Sequence, residues 1–243
     1  MVISSRGAGQ ADKYRNQRVK MNAFNPYRQL LARTGMALAI CIPLVILCYF
    51  FVDKPVAFFV YRHGIAQTPT MKWLTEPPPL VQGWSPLLVA IVLAAWAWQT
   101  PRHWQRALVV ACISLIVADQ CRESLGDVCG RYWPETWHDD NPSLIGTGAY
   151  GFHPFQTGDD VGSFPSGHAS RIAGFAGVFW IAYPRRRWLC LLIAVPMALS
   201  LIAMNYHFVG DVIAGSFLGG IVAAYAATLA GLEHNKLAGA AGI

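Results

Sequence analysis

The sequence predicts an all-α protein, a bundle of six transmembrane helices with a long outer loop between the third and fourth spanning helices. Three observations carry that prediction. The first is composition: of 243 residues, 54% are hydrophobic and only 13% charged, against about 25% charged in an ordinary soluble domain. Mean hydropathy is +0.35. The second is the presence of six apolar runs, each close to the roughly 20 residues that a bilayer core requires. The third is the sorting of positive charge, which clusters beside alternate connections.

Taken in order, residues 1–34 read as a basic cytoplasmic arm, with Arg6, Lys13, Arg15, Arg18, Lys20, Arg28 and Arg33. It would end in an interfacial helix near residues 26–32. The first apolar run covers 35–52. Residues 53–81, with Pro77, Pro78 and Pro79, are expected outside as an interfacial element or lid. The second run covers 82–99 and the third 105–121. Residues 122–167 form the long outer segment, rich in Gly, Pro, aromatic and acidic residues, and a loop of that length is unusual unless functional. The fourth run covers 168–183, the fifth 187–205 and the sixth 208–231. In the sixth, Ala214, Gly215, Gly219 and Ala223 make a small-residue stripe suited to close helix packing. Residues 35–233 are expected to form one domain, followed by a short cytoplasmic tail at 234–243.

With the N-terminus inside, 13 of the 19 Lys and Arg fall on cytoplasmic segments: seven in the arm, then Arg102, Arg106, Arg185, Arg186, Arg187 and Lys236. The net charge of +6 is therefore a topology signal. It argues against nucleic acid as a partner and for a lipid bilayer. No cleavable signal peptide is expected. Cys41, Cys48, Cys112 and Cys190 lie in apolar runs and read as small buried hydrophobes. On a helix, Cys121 and Cys129 would stand about 12 Å apart, too far for a disulfide. No spacing resembles a zinc site.

Two motifs stand out, both placed on the outer side by the charge pattern. Residues 163–168 read SFPSGH, just before the fourth run. Ser166 is a favoured N-cap, Gly167 permits close backbone approach, and His168 falls in the first helical turn, where unpaired N–H groups suit an anion. A capped helix start with an interfacial histidine is the plainer alternative. His207 and Asp211 stand four apart between the fifth and sixth runs. On a helix they share a face, and a carboxylate there can orient an imidazole nucleophile. The alternative is an Asp complementing the helix dipole. Arg131 lies before Trp133 and Pro134, where the third helix should break. Arginine binds phosphate bidentately, although a snorkelling interfacial arginine reads the same way. Trp137, Tyr150, Phe152 and Phe155 could form a loop core. His138, His153 and the acidic pairs Asp139–Asp140 and Asp159–Asp160 read as solvated.

In combination, a basic stretch, then PSGH, then His-x-x-x-Asp at helix ends on one side of a six-run chain resembles the type 2 phosphatidic acid phosphatase superfamily. The likeness covers about residues 105–220. It implies a lipid phosphatase in which His207 is the nucleophile, forming a phosphohistidine. Asp211 would orient His207, and His168 would protonate the leaving oxygen. Ser166, the Gly167 backbone and Arg131 would hold phosphate oxygens. No metal or other cofactor is implied. Two motif positions depart from the family. Its third block begins Ser-Arg, whereas here Ser200 is followed by Leu201. Its first block has a lysine where this chain has Ser124 or Gly126. Arg122, one turn from Gly126, and Arg171, three residues beyond His168, are the candidate replacements.

The expected substrate is a membrane lipid phosphate or diphosphate: a polyprenyl diphosphate, phosphatidylglycerol phosphate, phosphatidic acid or a lipid A phosphate. It would be presented at the outer face of a bacterial inner membrane. A lipid phosphotransferase, or a silent phospholipid-binding or transport member, remain the alternatives. Oligomeric state is not legible.

Overall fold

The computed structural model describes residues 6–65, 69–137, 140–156 and 161–233, with side chains from residue 27 onward. The tail, His138, Asp139, Asp159 and Asp160 lie outside the described residues. Helix α1 (Arg6–Leu47) runs through a π-helical turn at 48–52 into α2 (Asp53–Arg62). Then come α3 (Pro69–Thr75), α4 (Pro77–Ala95), α5 (His103–Cys129), the short α6 (Leu144–Thr147), α7 (Gly167–Ala182), α8 (Arg187–Ala203) and α9 (Val209–Leu229). Among the described residues there is no strand, and only two isolated bridges, Arg131 with Phe152 and Trp133 with Ser143. Among the described residues, four segments are long and apolar enough to cross a membrane: Tyr27–Arg62, Thr70–Ala95, Pro184–Ala203 and Val209–Leu229. α7 has 16 residues, and α5 carries Asp119, Arg122, Glu123 and Asp127.

The expectation for residues 53–81 needs correcting. The chain does not leave the helix at 53. It continues through the π-helical turn, where each turn holds an extra residue, and so swings Asp53 into the bundle, where it is 1% exposed. Residues 77–79 are not a separate lid either. Pro77 and Pro78 begin α4, where proline's missing N–H costs nothing because the first-turn donors have no helical partner. Residues 122–129 likewise remain helical, so α5 carries Arg122 in its own C-terminal turns. It stops at Gly130, whose φ of 56° is left-handed. A Cβ there would collide with the His153 backbone.

The core is built from α5, α7 and α9, which approach closely because the facing residues are small. A Cβ on Gly219 would lie 2.7 Å from the Gly174 nitrogen and 2.8 Å from Ala173 Cβ. Gly174 itself faces α5, where Ser114 Oγ donates to its carbonyl at 2.9 Å. Toward the start of α5 and the ends of α7 and α9, Ala107, Ala111, Val178, Ala182, Ala223 and Ala227 close a second cluster. The sixth-run stripe is thus buried as the sequence implied. Large apolar side chains instead point outward from α1, α4 and α8, as with Ile42, Leu87, Ile91, Leu192 and Leu199. A surface of that kind fits lipid contact, because lipid tails are as apolar as leucine. The six cysteines are free.

Candidate active site

The site sits where α7 and α9 begin and where the 130–166 segment folds over them. Ser166 caps α7, its Oγ accepting from the Ala169 amide at 3.3 Å. This leaves Gly167 and His168 in the first turn. The Ser166 amide in turn donates to the Asp211 carbonyl at 3.0 Å, tying the start of α7 to the start of α9. α9 begins after a tight turn in which Asn205 takes a left-handed φ of 52°. The Asp211 carboxylate reaches back to the Phe208 amide at 3.0 Å, the reciprocal half of a capping box. These caps fix both histidines: their ring centroids are 6.1 Å apart.

A cavity of about 460 Å³ opens on them. Its walls include Arg122, Gly167, His168, Arg171, His207 and Trp133. Of the sequence-predicted residues, His207, His168, Gly167, Arg122 and Arg171 are therefore together. Ser166 is fully buried and its side chain is used as the cap. Asp211 and Arg131 lie behind the cavity wall, each with no exposed surface.

Behind His207 the wiring differs from the expected direct His–Asp pair. Its Nδ1 lies 3.0 Å from the Ser163 carbonyl and 3.9 Å from Asp211 Oδ2. The carbonyl can only accept, so Nδ1 carries the proton and Nε2 keeps its lone pair. Ser163 Oγ donates to Asp211 Oδ2 at 2.5 Å. Ser163 thus touches both groups, the imidazole with its carbonyl and Asp211 with its hydroxyl. Burial, followed by the positive fields of His168 and Arg122, pushes the His207 imidazole well below its ordinary range and keeps it neutral.

Arg131 is bound on two sides. It pairs with Asp211 and, at 2.6 Å, with Asp53, both buried. Asp53 also accepts from the Gly210 amide at 2.9 Å. Phe208, Phe152, Tyr49 and Tyr150 surround the guanidinium, with Phe208's centroid 4.4 Å away. Burial opposes the charge, but the two carboxylates outweigh it and hold Arg131 firmly protonated. That place does not suit the phosphate clamp the motif implied: the fork is already occupied by carboxylates. Tyr150 and Phe152 belong to this cluster, whereas Phe155 is 78% exposed and Trp137 lines the cavity.

The sequence reading missed Ser163, Asp53 and Asp119. Asp53 and Asp119 each sit at or inside an apolar run, where an ionisable residue signals a function or a partner. Ser163 was quoted only as part of SFPSGH. Asp119, 1% exposed, pairs with Arg171 Nε at 2.9 Å.

The PAP2 superfamily profile matches residues 30–233. The chain belongs to the PAP2 superfamily. With its long apolar helices, it is an integral membrane protein. It is 32% identical over 91 residues to a lipid A 1-phosphatase of Rhizobium etli, covering 37% of this chain and 36% of that one. It is 30% identical over 129 residues to a lipid A 4'-phosphatase of Bacteroides thetaiotaomicron, covering 49% and 52%. The chain thus spans between a third and a half of the length of these relatives. The crystal structure of a transmembrane PAP2-type phosphatidylglycerolphosphate phosphatase from Bacillus subtilis aligns with a TM-score of 0.44 at 17% identity, covering 82% of this chain and 94% of that one.

Proposed function

We propose that this PAP2 member hydrolyses a phosphate or diphosphate on a membrane lipid through a phosphohistidine on His207. The observation that carries the reading is the meeting of two histidines and two arginines in one cavity at helix ends, with the nucleophile's Nδ1 engaged behind it. A neutral imidazole with a free Nε2 attacks phosphorus, and the P–O bond to the lipid breaks. His168, across the cavity, gives its proton to the departing oxygen. Water then attacks phosphohistidine with His168 as base, releasing phosphate and restoring the imidazole. Arg122 and Arg171 neutralise the equatorial oxygens, with the Gly167 amide beside them. On this account charge is met by fixed cations and amides, and no metal ion takes part.

Leu201, where the family motif has arginine, is fully buried against Ala169, Met197 and Val212. It has no path to the cavity. The cavity is nevertheless cationic, because α5 and α7 supply what α8 does not. That favours a working enzyme over a silent binder. The relatives make lipid A phosphate the first substrate to try, followed by phosphatidylglycerol phosphate, phosphatidic acid and polyprenyl diphosphate.

In this reading α5 and α7 cross the bilayer as well, giving six spans with the 130–166 segment outside. The positive-inside pattern then places the site on the periplasmic face of a bacterial inner membrane. The test is phosphate release by detergent-purified protein across that lipid panel, with His207→Ala alongside. Release that vanishes in the variant is expected. Transfer of phosphate to a lipid acceptor instead of water would assign the phosphotransferase variant. No release and no transfer from any lipid would contradict both.

A further inference from the structure

The buried carboxylate of Asp119 takes no part in the chemistry above, yet it faces the cavity's cations from inside an apolar helix. A charge in that setting is costly and calls for a partner. Its two oxygens are committed to different helices. Oδ2 accepts from Gln82 Nε2 of α4 at 2.5 Å. Oδ1 pairs with Nε of Arg171 on α7 at 2.9 Å. Arg122 follows three residues later on α5, on the same face, and shares the cavity with Arg171. We infer that Asp119, braced by Gln82, is a positioning residue that aims Arg171 at the phosphate. The inference rests on the phosphatase reading of this cavity.

The geometry of guanidinium makes the point. Its donors form a rigid fork. Asp119 Oδ1 stands 2.9 Å from Nε as an ion pair without hydrogen-bond geometry, so charge attraction at contact distance holds that edge and leaves the two terminal amino groups for the cavity. Without Asp119, the long Arg171 side chain would face the Arg122 cation with only the weaker fields of Glu123 and Asp127 to oppose their repulsion, and would turn away. With it, two guanidiniums less one carboxylate leave one net positive charge. That charge meets a phosphate dianion while keeping the empty cavity tolerable in the membrane. Asp119 therefore supplies the anchoring that lets an arginine from α7 replace one absent from α8.

The sign of the effect separates this role from simple electrostatics. Removing a carboxylate from an anion site tightens anion binding if charge alone matters. If Asp119 aims Arg171, its removal weakens binding. The experiment is calorimetric titration of the full-length protein in detergent with inorganic phosphate, for wild type, Asp119→Asn, Arg171→Ala, the double variant and Gln82→Ala. Asp119→Asn is expected to weaken phosphate by about tenfold, the low end for loss of a group that orients a ligand-binding side chain. The double variant should bind no more weakly than Arg171→Ala alone, and Gln82→Ala should show a smaller loss in the same direction. Where lipid turnover is measured, KM should rise more than kcat falls. Tighter or unchanged binding in Asp119→Asn, or losses that multiply in the double variant, would overturn the inference. So would Asp119→Asn or Gln82→Ala protein that melts earlier but binds phosphate normally. If Asp119→Asn does not fold, Gln82→Ala decides. Phosphate binding needs no turnover, so a wild type that binds phosphate but releases none from lipids would sink the phosphatase reading and leave the positioning role standing. A wild type that binds no phosphate would end both.

Discussion

His207 is the residue on which the proposed chemistry turns, and its state follows from three neighbours. The Ser163 carbonyl accepts a hydrogen bond from the protonated Nδ1, while burial and the fields of His168 and Arg122 resist a second proton. The folded-state pKa is thus below the ordinary 6.5. Above that value His207 is neutral in both folded and unfolded chains, and its shift contributes nothing to stability. As pH falls through it, the unfolded chain binds a proton that the folded one refuses, so this residue makes the protein less stable in acid. We expect nitrogen-15 histidine NMR in micelles to show His207 still neutral, with Nε2 unprotonated, at a pH where an ordinary histidine is already protonated. Titration at or above 6.5 would contradict the wiring described. Ser163→Ala removes the hydroxyl that holds Asp211 Oδ2 and leaves a buried carboxylate oxygen short of a donor. It should cost about 1–3 kcal/mol in thermal unfolding and lower kcat with little change in KM. The motif residues were legible because their spacing is short and their chemistry rare. The role of Arg131 was not. An arginine near a helix break looks the same in sequence whether it faces substrate or, as here, two buried carboxylates, and one of those, Asp53, lies 78 residues away.

At the scale of helices, the site depends on how closely α7 and α9 pack, since α7 carries His168 and α9 begins two residues after His207. Gly219 shows the tolerance: an added Cβ would press on the Gly174 nitrogen and on Ala173. Gly219→Ala should therefore destabilise the protein by about 1–3 kcal/mol. It should also lower kcat, because parting the helices parts His168 from His207. A melting curve with an activity assay checks both, and an unchanged melting point would refute the packing account. The Asp53–Arg131–Asp211 cluster does similar work from the other side, joining α2 and the segment after α5 to the start of α9. Arg131→Ala strands two buried carboxylates and should cost about 3–5 kcal/mol, visible as a large fall in the unfolding temperature. The stripe on α9 was readable from its small residues. The helical course of residues 53–62 was not, because Asp53, Lys54 and Pro55 look like the end of a span when no partner for Asp53 is in view. α4 also begins five residues earlier than its apolar run, because proline suits a first turn that hydropathy alone does not register.

For the whole molecule, the proposed orientation rests on charge sorting, and it sets the side on which a lipid would present its phosphate. Single cysteines placed at Arg185 and at Trp137 in a cysteine-free chain should label from opposite faces of intact cells, Trp137 from outside. Labelling of both from one side would contradict six spans. The helical character and the residues that line the candidate cavity were legible because apolar run length and short motifs are local properties of the chain. The anchoring of the site was not, because it joins residues from α2, α4 and α5 that meet only on folding. The central claim is that phosphorus passes through the imidazole of His207. The most direct measurement is mass spectrometry of wild-type protein quenched at neutral pH during turnover of a lipid phosphate. The account predicts phosphate on His207 and none on the His207→Ala protein. Turnover with phosphate on His168, on another residue or on no residue at all would contradict it.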